Sequence, residues 1–157
     1  MMTESIRRLV ILTAFACLAV GGCGDDPLGP VEEALASARA DWEATGFESY
    51  TYSYRMACFC APQLLETALV SVSGDQVTAV YLVDSASPAP PETFNFYYTI
   101  DGLFERLAAD LAREPAQFDV TYHPEAGYPT SASVDVSEQI ADEEYSFTAS
   151  DLVAVSP

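Results

Sequence analysis

The chain has no lysine, and its six arginines face 24 acids across 157 residues, a formal net charge of −18. A nucleic-acid binder needs clustered cations to displace counterions from phosphates, so nucleic acid is excluded as a partner. The same field repels anionic headgroups, so any membrane association has to come from another device. Histidine is reduced to His123 alone. No motif fixes a nucleophile, a base and an orienting group together, and zinc, which takes four ligands, finds too few cysteines and histidines without an acid or a second molecule. Gly102 and Gly127 stand apart, outside any phosphate-cradling pattern. Nothing calls for a cofactor. Long apolar runs are missing too, since none reaches the ~20 residues that a membrane-spanning helix needs.

What stands at the N-terminus is shorter. MMTESIRR ends in an arginine pair, and LVILTAFACLAV (Leu9 to Val20) is uncharged and apolar, the n-region and h-region of a signal peptide. The run ends in Val20-Gly21-Gly22-Cys23, which resembles the bacterial lipobox, where small residues precede a cysteine that takes a diacylglycerol. We therefore expect residues 1–22 to be a lipoprotein signal peptide, Cys23 the lipid attachment site, and residues 23–30 the lipidated cysteine and its tether. The alternative is an ordinary signal peptide with Cys23 left as a free thiol. The expected location is the cell envelope, with the domain outside the cytoplasm and acyl chains as the link to a bacterial membrane. After residue 22, four arginines remain against 23 acids, a formal charge of −19.

Residues 31–157 suit one domain with a real core. VEEALASARADWEATG carries Val31, Leu35, Ala38 and Trp42 at helical spacing, with Pro30 in the first turn and Gly46 as the C-terminal cap. YTYSYRMACFC alternates instead: Tyr50, Tyr52, Tyr54, Met56, Cys58 and Cys60 share one parity, Thr51, Ser53 and Arg55 the other. Period two predicts a strand with one apolar face, and a persistent register would turn both thiols toward the tyrosines. TALVSVS and QVTAVYLVD around Gly74-Asp75 read as a hairpin, and DSASPAPP as a proline-rich loop. TIDGLFERLAADLAREP then puts Ile100, Leu103, Phe104, Leu107 and Leu111 on one stripe, with Thr99 or Asp101 as N-cap. FDVTYH, TSASVDVS and YSFTASDLVAV supply three more strands. The expected class is α+β, in the order α-βββ-α-βββ, with an antiparallel sheet and both helices on one face.

The set Y-T-Y-S-Y-R-x-x-C-F-C, V-S-V-S-G-D-Q-V, T-I-D-G-L-F and G-Y-P-T, running from about Trp42 to Val155, resembles a family of small bacterial secreted and lipid-anchored proteins with a domain of unknown function. The resemblance implies a cell-envelope lipoprotein and carries no activity, substrate or catalytic residue.

The chemistry-bearing candidates are few. His123, before the turn-rich PEAGYP, reads first as a loop anchor and second as a partner for a cysteine. Asp142-Glu143-Glu144 lacks the spacing that wraps oxygens around calcium. Cys58 and Cys60 would lie roughly 6.6 Å apart along an extended strand, near the upper edge of the disulfide window at about 6.8 Å, so closure needs a local bend. A structural disulfide or two buried thiols is the leading reading in an oxidising compartment. A redox or metal-handling pair and an intermolecular bridge are the others; thiolate activation needs a nearby cation, and only Arg55 is local. The functional expectation is a non-enzymatic binding or structural module whose partner is an envelope protein or small ligand. The alternative is a thiol-disulfide or metal-handling protein acting through Cys58 and Cys60. An exposed apolar patch on the sheet would mark the recognition of another protein.

Overall fold

Strict alternation sets the first strand, β1 (Ser49–Cys58). Tyr50, Tyr52 and Tyr54 are buried to 2 %, 0 % and 2 % exposure, while Ser49, Thr51 and Ser53 stay half-open. The computed structural model describes residues 28–155; the expected signal peptide, Cys23 and most of the tether lie outside the described residues.

Before β1 runs helix α1 (Gly29–Thr45), which buries Leu35, Ala38 and Trp42 and ends at Gly46 in the left-handed region. β2 (Ala68–Ser73) and β3 (Gln76–Leu82) form the expected hairpin on Gly74, which has φ 58°. The proline-rich segment departs from expectation. Ser87–Pro88 pairs with β3 as a two-residue strand, β4, and Pro91–Phe96 makes a 3-10 turn, so four strands precede the second helix. Prolines at 88, 90 and 91 cannot donate to a ladder, which keeps β4 this short. Helix α2 (Ile100–Leu111) starts on Thr99, whose Oγ1 accepts from the Gly102 N–H at 2.9 Å. β5 (Gln117–Tyr122), β6 (Pro129–Asp135) and β7 (Tyr145–Ala154) complete a single antiparallel sheet in the order β4-β3-β2-β1-β7-β6-β5. The class is mixed α+β.

β1 and β7 are the central pair, registered from Cys58 opposite Tyr145 to Tyr50 opposite Ala154, with a bulge where Asp151 takes φ 54°. The strand that opens the first half is therefore central, whereas β5, which opens the second, lies at an edge. The repeated order of elements does not become a repeated arrangement.

The stripes of α1 and α2 and the inward residues of β1, β2, β6 and β7 form one buried cluster. A single face of the sheet is thus roofed. Gly127 lets the second half close onto the first: a Cβ there would stand 2.2 Å from the Ala38 carbonyl oxygen, and its φ of 71° already favours glycine.

Candidate functional site

The roofed face explains why β1 carries tyrosine where phenylalanine would fill the same space. The Tyr50 hydroxyl accepts from the Ile100 N–H at 2.8 Å, and the Tyr52 hydroxyl donates to the Tyr98 carbonyl. Both hydroxyls satisfy backbone at the entry to α2, groups that burial would otherwise leave costly. The Tyr54 hydroxyl is buried and has no hydrogen-bond partner among the described residues. Burial raises the pKa of all three far above the ordinary tyrosine value. Trp42 stands edge-on to both Tyr50 and Tyr128, so the G-Y-P-T turn packs against α1 as well as turning the chain.

An arginine cage at the far end of this face was not legible in the sequence. The Arg106 guanidinium sits 3.6 Å from the Tyr145 ring centroid and donates to the Tyr98 hydroxyl at 3.0 Å. The Tyr145 hydroxyl donates to Asp110 Oδ2 at 2.7 Å, and Arg113 bridges Asp110 at 3.4 Å and Glu143 at 3.7 Å. Burial works against the Arg106 charge, yet the surrounding tyrosines hold its pKa raised. The available signal was an arginine inside a helix stripe of a chain that has so few.

Among the described residues, no helix packs on the opposite face of the sheet. Reading the registers across β5, β6, β7 and β1, Thr121, Ser131, Thr148 and Arg55 form one row, and Asp119, Ser133, Ser146 and Ala57 the next. Thr121 Oγ1 lies 2.8 Å from the hydroxyls of both Thr130 and Ser131. Toward β3 the face becomes apolar: Leu69 and Tyr81, directly opposed, are 42 % and 44 % exposed. This open surface grades from apolar through hydroxyl to acidic.

Cys58 and Cys60 end β1. Their Sγ atoms are in bonding contact at 1.97 Å and their Cα atoms are 5.3 Å apart, closer than an extended strand allows. The register does not persist through both, which corrects that expectation: β1 stops at Cys58, which packs on the core's margin, while Phe59 and Cys60 bend away. Phe59 is left 81 % exposed. Beside it lies a groove of about 390 Å³ floored by Ala57, Ser133 and Ser146 and rimmed by Gln117, Asp135 and Glu144.

His123 lies past the opposite end of β5 from Gln117, away from the cysteines. Its Nδ1 accepts from the Ala126 N–H at 3.1 Å and its ring stacks on Tyr128, so it anchors its own loop. Among the described residues no group of three or more histidines, cysteines and acids is placed to hold a metal ion.

Residues 34–154 match a family of unknown function, DUF6174. No curated protein and no solved structure matches the chain.

Proposed function

The chain belongs to the DUF6174 family of unknown function, and from there we propose that it is a lipid-anchored cell-envelope protein whose folded part is a non-enzymatic binding module. The observation that carries this reading is the open sheet face. A sheet needs one face covered to be stable, and here both helices cover the same one. The other face leaves hydroxyl-bearing surface available for contact, with Leu69 and Tyr81 as an exposed apolar patch of the sort that marks protein contacts. Anchoring rests on Cys23 and the apolar run before it, and makes an envelope protein or an envelope ligand the partner.

The competing proposal is thiol-disulfide or metal handling by Cys58 and Cys60. The carboxylates of Asp135 and Glu144 border the groove beside the pair, and negative charge disfavours the thiolate that such chemistry needs. A structural bridge that pins the end of β1 fits this setting better.

The test places a photo-crosslinking side chain at Thr148 on the open face and, separately, at Ala109 on α2, in the full chain expressed in its own cells. Defined adducts at Thr148 and none at Ala109 are expected, and they should survive replacing both Cys58 and Cys60 with serine. Equal labelling at the two positions sinks the open-face reading. Adducts lost with the cysteines while the melting temperature holds would favour the thiol chemistry. Intact mass from the native membrane should carry a lipid on Cys23, and Cys23→Ala should release the protein from the membrane.

A further inference from the structure

The two edges of the sheet are built differently. At one, β4 is two residues long and set among prolines, which blunts it against pairing. At the other, β5 runs six residues, QFDVTY, with no proline, lysine or glycine, and no described strand pairs with its outer side. Phe118, Val120 and Tyr122 alternate along it and remain only half-buried, because nothing described continues the sheet past them. Such an edge is a template for one more strand, and the alternate apolar row would be completed by a strand with apolar residues at every second position.

The groove beside the disulfide opens at the foot of this same edge. Gln117 opens β5 and pairs in register with Asp135 of β6, and Glu144 immediately precedes β7. Phe59, bent outward by the Cys58–Cys60 link, closes the groove from the β1 side. Asp135 and Glu144 line this groove over a floor of alanine and serine, and Asp135, the acid nearer the β5 edge, can pair with an organic cation. Gln117 donates to Asp119 Oδ2 at 2.8 Å, which brings a third acid onto the β5 side. Arg55 is the cation on this face, one row farther along β1, and it forms no ion pair among the described residues.

Resting on the binding-module reading, we propose that β5 takes an extended segment of a partner protein as an eighth strand, with an arginine or lysine side chain of that segment seated at the β5 end of the groove, between Asp119 and Asp135. Charge complementarity selects this occupant. A second copy would bring Asp119 against an identical acidic edge and one chain of net charge −18 against another, which like-charge repulsion opposes.

The probe is a heptapeptide alternating valine with arginine or threonine, set against the same peptide with glutamate for arginine, titrated into the full chain in detergent micelles. The arginine peptide should bind, weaken as salt rises, and protect the outward amides of β5 from hydrogen exchange. The glutamate peptide should bind at least tenfold more weakly. Asp119→Asn and Asp135→Asn should each weaken the arginine peptide about threefold, the scale of an exposed ion pair, with the melting temperature unchanged, whereas Phe59→Ala, three strands away from β5, should leave binding as it is. Equal binding of the two peptides, protection away from β5, or a dimer joined through β5 without peptide would overturn the proposal. If the arginine peptide fails to bind while the Thr148 adducts persist, the edge-and-groove assignment falls and the module reading stands; loss of both sinks both.

Discussion

One sheet presents two faces built from alternate residues of the same strands, and they obey different rules. On the roofed face of β1, Tyr50, Tyr52 and Tyr54 lie within a continuous core, and two of their hydroxyls hold the entry to α2. On the open face of the same strand, Ser49, Thr51 and Ser53 stay half-buried and Arg55 is exposed. The difference teaches where stability resides. The energy of the fold lies in apolar area removed from water on one side, so the composition of the other side is free to follow contact with something else. A run of small hydroxyls between a Leu69–Tyr81 patch and an acidic rim is a surface that the core does not require.

High pH bears chiefly on the roofed face and gives the largest expected effect. Burial pushes the Tyr122 pKa up to about 12 and raises Tyr50, Tyr52, Tyr54 and Tyr145 further. The folded values are raised, so their contribution is whole below the unfolded value, about 10, and is lost as pH climbs through the folded values. Each pH unit above about 10 costs about 1.4 kcal/mol for every tyrosine the fold keeps neutral. Circular dichroism and tyrosinate absorbance should therefore change together in one cooperative step above about pH 10. Early, gradual ionisation of most tyrosines with the fold intact would show that the roof is open to water. Truncation tests the same face: Tyr52→Ala should cost about 3–5 kcal/mol in urea unfolding, the scale of a deleted core aromatic.

Subtler changes separate the hydroxyls within the roofed face. Tyr50→Phe removes the acceptor for the Ile100 N–H and should cost about 1–2 kcal/mol, because a buried donor is left unmade. Tyr54→Phe removes a hydroxyl that has no hydrogen-bond partner among the described residues and should be neutral or stabilising. Equal costs for the two would mean that the hydroxyls matter only through their volume. At the margin between the faces, replacing both Cys58 and Cys60 with serine should cost about 1.5 kcal/mol, since a link across so few residues removes little chain entropy from the unfolded state.

The contrast between faces was legible in the sequence because side chains alternate along a regular strand. The parity of Tyr50 to Met56 and the stripe from Ile100 to Leu111 were enough to say what is inside, and Thr99 and Gly46 cap their helices as their chemistry predicts. The open face as a surface was not legible. Phe59, Glu144, Asp135 and Gln117 come from four chain segments, and only the pairing of β1 with β7, of β7 with β6 and of β6 with β5 brings them together. Pairing across the sheet is a long-range outcome without a local signal. The same holds for Arg106 over Tyr145. Cys60 was misplaced for a local reason: the parity rule was carried past the point where the link between the cysteines and Pro62 end the strand.

The smallest effect bears hardest on the comparison. Ser53 lies mid-strand on the open face, opposite Leu69 of β2 and Ser150 of β7. Serine lacks the β-branched carbon that packs well on a pleated surface, so Ser53→Thr should raise stability by no more than about 0.5 kcal/mol, read as a higher urea midpoint with an unchanged slope. Should Ser53→Thr instead cost more than about 1 kcal/mol, the open face would be packed for the fold like the roofed one, and the case for a free binding surface would lose its physical basis. If stability rises as expected while the Thr148 adducts weaken, the serine is there for the partner.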